Sequence, residues 1–169
     1  MVATDPPTQR RGWNAGLGAE LGFGTTYVDG LDTGWVGRLQ YHMMPFLADP
    51  GTFGGLFDIS LGYEYWRVGH GTWGMDLPFE MQIGFRAWAV RFEGGIGVDA
   101  LLLDQVHGDT GFGMYAPLAS ITAGFDFHHT TVMADVRVVR RWQLGADDFT
   151  QWMFSVGIGG TEESDRPRR

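Results

Sequence analysis

Ten ionisable residues fall where a two-residue period puts them on one side of the chain: Glu20, Arg38, Glu64, Glu80, Arg86, Arg91, Glu93, Asp99, Asp135 and Arg137. Brought together, such carboxylates and guanidinium groups can line a gated ion or proton path. They can equally pack as a mutually neutralising network in place of an apolar core. The second reading carries more weight, because buried charges must be paired wherever they occur. His42 lies on the same side, suited to a hydrogen-bonded or pH-responsive place in that network. His128 and His129 are adjacent, and in a strand neighbouring side chains point to opposite faces, which disfavours joint chelation. Asp29, Asp32, Asp147 and Asp148 occupy turn-like segments without the spacing of a calcium loop. Neither a catalytic residue, a metal ligand nor a cofactor site is assigned from the sequence, and no cofactor is expected.

The elements that must position these charges are strands. In Trp13–Gly24 the odd positions are Trp13, Ala15, Leu17, Ala19, Leu21 and Phe23, and the even ones are glycines with Asn14 and Glu20. Alternation of this kind is the signature of a β-strand. It recurs over Gly34–Met44, Leu56–Trp66, Met75–Arg86, Phe92–Leu102, Met114–Phe127, Thr131–Gln143 and Thr150–Gly160. The apolar parity flips between Phe85 and Phe92, which requires a turn near Ala87–Val90 although no turn-forming residue stands there. Pro45 is expected to end the second strand. Pro78 and Pro117 are expected near strand starts, since proline is poorly tolerated in a paired ladder. Residues 1–11 read as a disordered lead-in, 12–160 as the β-barrel domain and 161–169 as a disordered charged tail.

Composition narrows the class. Among 169 residues there are 27 glycines, aromatics make up 14%, charged residues only 19%, and lysine and cysteine are absent. The net charge of −8 disfavours nucleic acid as a partner, which needs clustered cations. No apolar run approaches a membrane helix, and the N-terminus has no signal-peptide core, so the chain reads as a mature form with an added or retained Met1.

Alternation leaves two barrels possible: a lipocalin-like one with Leu61 and Ile83 facing a cavity, or a transmembrane one with the apolar face outward. The second is favoured. The apolar face is bulky and nearly unbroken, with Arg140 its main charged exception. The opposite face pairs small residues with charges, as the narrow bore of eight strands demands. Aromatics gather near strand ends, with Trp35, Trp142 and Trp152 at one rim and Trp13, Phe92 and Phe127 at the other, as membrane-interface girdles do.

On these strands, Trp13–Gly160 resembles the small eight-stranded outer-membrane barrels of the OmpA/OmpX, porin-like type. Such barrels often end on an aromatic residue, whereas the eighth strand here ends Ile158-Gly159-Gly160. The resemblance implies an all-β, eight-stranded antiparallel up-and-down transmembrane barrel in the outer membrane of a Gram-negative bacterium. It implies a structural or interaction role, with a narrow ion or small-solute channel as the alternative. The expected partners are outer-membrane lipid, the barrel-assembly machinery during biogenesis, and protein or lipopolysaccharide met through the loops of a monomer. A lipid-modifying enzyme is disfavoured, because the outward face offers no mid-strand serine or histidine.

Overall fold

The computed structural model describes residues 13–30, 32–48, 53–106, 109–111, 114–127, 130–141 and 149–163. The strands are β1 (Trp13–Val28), β2 (Thr33–Ala48), β3 (Phe53–Val68), β4 (Trp73–Ala87), β5 (Val90–Val106), β6 (Asp109–Gly111), β7 (Met114–Phe127), β8 (Thr130–Arg141) and β9 (Phe149–Glu163). Each pairs antiparallel with its neighbour, and β9 returns to β1 from Gly16↔Glu163 to Val28↔Gln151. The eight long strands thereby form a closed barrel. The short β6 only folds back on the end of β5. Closure leaves the eight long strands without the free edges an open sheet would expose.

The strands run further than alternation alone suggests. Segments expected as loops, including Thr25–Val28, Arg67–Val68 and Leu103–Val106, continue the ladder. At the other end β9 reaches Glu163 instead of stopping at Gly160, because Thr161, Glu162 and Glu163 pair with Gly18, Leu17 and Gly16. Pro45 does not end β2. The strand passes it through a bulge between Met43 and Phe46, where a missing N–H does not interrupt the pairing. Pro78 is also well inside β4, and the β3–β4 ladder skips it, passing from Leu61↔Phe79 to Glu64↔Asp76. Pro117 meets the expectation on one side only: the β7–β8 ladder begins one residue later at Leu118↔Val139, whereas the β5–β7 ladder runs through it as Val98↔Pro117.

The turn inferred from the parity flip is a two-residue hairpin, Trp88-Ala89, closed by Ala87↔Val90. Trp88 adopts φ 55°, a conformation that tight hairpins usually give to glycine or asparagine. This explains why residue type gives no sign of the turn.

Leu61 is 53% and Ile83 70% exposed on the outside of the barrel, which rules out the lipocalin-like arrangement. Leu17, Leu21, Tyr41, Met81, Ile96, Ile121, Val136, Phe154 and Ile158 share that outer face. Arg140 also lies on it, near the end of β8, with Nη1 donating to Thr150 Oγ1 at 2.8 Å. Aromatic rings form two groups. At the end that carries the β1–β2 and β3–β4 connections (the loop end, opposite the turn end with the Trp88-Ala89 hairpin) Phe23, Trp35, Tyr65 and Trp73 run in a chain with centroid separations of 6.0, 5.2 and 6.2 Å. At the turn end Phe53, Phe85 and Phe92 follow one another at 5.9 Å steps. Trp152 and Phe127 are exposed at the corresponding ends, and Trp88, 71% exposed, joins the turn-end group. Trp142 and the side chain of Trp13 lie outside what is described.

Gly84 permits the β4–β5 approach: a Cβ there would stand 2.0 Å from the Phe92 carbonyl oxygen. Gly84→Ala is therefore expected to destabilise the barrel by roughly 1–3 kcal/mol through forced backbone displacement. The readout is the urea midpoint for unfolding of the detergent-refolded chain. A midpoint equal to wild type would contradict this close approach.

Candidate functional site

Even-numbered positions of β1 to β4 and odd-numbered positions of β5, β8 and β9 turn inward, so cross-strand neighbours bring their charges together. Arg38 faces Glu64 across β2–β3, Asp135 faces Ser155 across β8–β9, and Arg137 faces Ser120 across β7–β8. All ten sequence-selected charges are buried in this interior, as is His42. The structure adds three carboxylates to them, Asp58, Asp76 and Asp126.

The middle of the barrel holds one connected group. Arg38 Nη2 donates to Glu20 Oε1 at 2.7 Å and Nη1 to Asp135 Oδ2 at 2.5 Å. Arg137 bonds Glu64 through Nη1 and pairs with Glu80 through Nη2, and that same nitrogen lies 3.7 Å from Asp135. Hydroxyls and amides fill the remaining positions. Ser120 Oγ donates to Glu80 Oε2 at 2.6 Å, Gln82 Nε2 to the same oxygen at 2.9 Å, and Ser155 Oγ to Asp135. Gly157 leaves room for the Glu20 carboxylate, because a Cβ there would overlap its Oε1 at 1.8 Å.

A second group lies towards the turn end. Arg86 and Arg91 stand directly opposite each other on β4 and β5, an unfavourable pairing of like charges. Asp126 resolves it, its Oδ2 accepting from Arg86 Nη2 at 2.8 Å and from Arg91 Nε at 2.7 Å. His42 Nδ1 sits 2.6 Å from Asp58 Oδ2, and its Nε2 3.6 Å from Glu20 Oε2, which joins the two groups. Glu93 Oε2 is buried without a hydrogen-bond partner and faces a void of about 10 Å³ that His42, Asp58 and Arg91 also line. That space is on the order of one water molecule.

Towards the loop end the interior turns largely apolar, around a buried Gln151 Nε2 to Thr26 Oγ1 hydrogen bond of 3.0 Å. Val28, Val36, Trp66, Val68, Ala116, Leu118, Val139, Phe149 and Met153 form a buried cluster contributed by six strands. Several of its members fall in segments expected as loops or at predicted strand ends. They cap the charged layer, and Trp66 ties the two together by donating from Nε1 to Asp76 Oδ2 at 2.7 Å. The signal for the three missed carboxylates was present in their parity. Asp58, Asp76 and Asp126 alternate with apolar neighbours just as the selected charges do.

The serines Ser60, Ser120 and Ser155 and the histidine His42 all face inward. Asp29 and Asp32 flank the β1–β2 hairpin, whereas His128, His129, Asp147 and Asp148 lie outside the described residues.

No protein-family model and no curated protein matches this chain. Solved structures do. Neisserial surface protein A superposes with a TM-score of 0.60 at 10% identity, over 86% of this chain and 96% of that one. The N-terminal β-barrel domain of Pseudomonas aeruginosa OprF gives 0.54 at 15%, over 89% and 100%. The outer membrane enzyme PagL gives 0.52 at 20%, over 84% and 97%. At these identities the likeness defines the fold, a closed eight-stranded barrel of the type found in outer-membrane proteins.

Arg137 is the centre of the middle group. Arg137→Met should cost about 3–5 kcal/mol, because it leaves buried carboxylates without their cation. Adding Glu64→Gln should recover part of that loss. Urea titration of the refolded single and double variants reads both effects, and an unaltered midpoint for the single variant would show the network to be energetically idle.

Proposed function

We propose that this chain is an integral outer-membrane barrel protein whose interior is plugged and whose role is structural or interactive. The observation that carries this is the inversion of the barrel. Among the described residues, large apolar side chains surround the outside, while nine carboxylates and four arginines are buried within. In water the outer belt would be a standing cost. In a bilayer it is the required surface, and closed pairing satisfies the backbone without water. The two aromatic groups at opposite ends fit the two interfaces. The outer-membrane proteins that share the fold support the compartment.

The same interior favours a plug over a channel. Apolar side chains fill the bore towards the loop end, and Arg38 and Arg137, each bridging two different acids, span the charged layer. Lipid is the partner for the outer face. Protein or lipopolysaccharide contacts belong to the loops, and assembly machinery would act during insertion.

Three measurements test this reading. Expressed behind a signal peptide, the chain should fractionate with the outer membrane and show a heat-modifiable band on gels. Leu61→Arg, which places a charge mid-strand on the outer face, should reduce stability by roughly 2–4 kcal/mol in lipid vesicles. Recovery as a soluble monomer would overturn the membrane assignment. Steady single-channel conductance in planar bilayers, altered by Arg137→Ala, would overturn the plug in favour of the channel.

A further inference from the structure

Towards the turn end, three buried polar atoms without a hydrogen-bond partner belong to residues that line one void. They are Glu93 Oε2 on β5, Asp58 Oδ1 on β3 and His42 Nε2 on β2. Glu93 is 3%, Asp58 2% and His42 9% exposed. The void is the space of about 10 Å³ beside Arg91, and Met44, Thr131 and Met133 close part of its wall. An unpaired buried carboxylate oxygen is costly, so three such atoms around one space call for a common partner.

The surrounding contacts define what that partner must be. His42 Nδ1 faces Asp58 Oδ2 at 2.6 Å, whereas Nε2 stands 3.6 Å from Glu20 Oε2, too far for a hydrogen bond. Arg91 directs Nε to Asp126 at 2.7 Å and Nη1 to Met44 Sδ at 3.3 Å. A cation in the void would be set against Arg91 and His42, and an anion against Glu93 and Asp58. The space admits nothing larger than about one water molecule.

We propose that this void is a binding site for a single water molecule, held by Glu93, Asp58 and His42. Water is the ligand of that size that both donates and accepts. It gives one hydrogen to Glu93 Oε2 and one to Asp58 Oδ1, and it accepts from His42 Nε2. Three bonds are the usual complement of an internal water. The arrangement requires N–H at both ring nitrogens of His42, because Nδ1 faces the other oxygen of Asp58 and a carboxylate only accepts. The water thereby joins Glu93 on β5 to the His42–Asp58 pair on β2 and β3. Its ligands come from three strands, so no local motif announces the site.

The test uses the full chain folded in detergent micelles at neutral pH, with ¹³C-labelled methionine methyls and ¹⁵N-labelled histidine. Met44 and Met133 line the void. A long-lived water there should give cross-relaxation from the water resonance to their methyl groups, and both ring nitrogens of His42 should be protonated. Glu93→Leu removes the acceptor at similar volume and should abolish the cross-relaxation. Thr131→Val should leave it in place, which separates bound water from exchange through that hydroxyl. If Glu93→Leu does not fold, a crystal structure of wild type decides, with density expected within about 3.2 Å of all three atoms. The proposal is overturned by folded wild type without cross-relaxation at either methyl, or by cross-relaxation that survives Glu93→Leu. It is equally overturned by a direct Glu93–Asp58 contact, which would replace the water with a shared proton. A higher melting temperature in Na⁺ than in choline at equal ionic strength, lost in Glu93→Leu, would give the void to a monovalent cation instead.

Discussion

Closure of β9 onto β1 is the constraint on which the rest of this molecule depends. An antiparallel ladder that returns to its first strand has no edge, so its backbone needs nothing from solvent. Closure also converts a two-residue alternation into two unlike surfaces, one enclosed and one open. Every side chain is thereby assigned to one of them, and a single-residue slip in register would exchange the two. The bulges at Asn14/Gly16, Met43/Phe46 and Met75/Asp76 are the places where the count is locally adjusted while the parity of the long segments is kept.

The enclosed surface then poses a problem that an ordinary hydrophobic core does not. Eight strands leave a bore filled by side chains, and here charged ones occupy its middle. Burying a carboxylate or guanidinium costs several kcal/mol even after relaxation, and only close pairing with further hydrogen bonds offsets it. The network answers that demand with arginines that each reach more than one acid: Arg38 joins β1 to β8, and Arg137 joins β3 and β4 to β8. These bridges cross the bore, so they tie opposite walls together as an apolar core would, with direction added. At the loop end the bore changes character, and the cluster around Trp66 and Phe149 completes the interior with ordinary apolar packing.

Much of this was legible in the sequence, because alternation is a strong signal wherever both faces are chemically pure. The parity flip between Phe85 and Phe92 located the β4–β5 turn even though Trp88 is an unlikely residue for its positive φ. Legibility failed where a strand leaves the two-colour zone. Val28, Val68 and Phe149 are apolar yet inward, so beyond the outer belt the pattern loses its contrast and the segments read as loops. Proline misled for a related reason: Pro45 and Pro78 cannot donate to a ladder, but a bulge or a skipped pair removes the need. The pairing of the interior charges was not legible in the same way. Parity shows that Asp58, Asp76 and Asp126 face inward, but which cation each meets depends on register between strands far apart in sequence.

The two faces together limit what the barrel can be asked to do. A bore crossed by Arg38 and Arg137 and capped by Trp66 is built for rigidity, since opening it would separate buried charges and expose an apolar cluster at the same time. The bridges and the apolar cluster therefore act on the same coordinate, and neither can give way without the other. The outer belt adds nothing to that rigidity; it sets only the surroundings in which a closed barrel with this surface is stable.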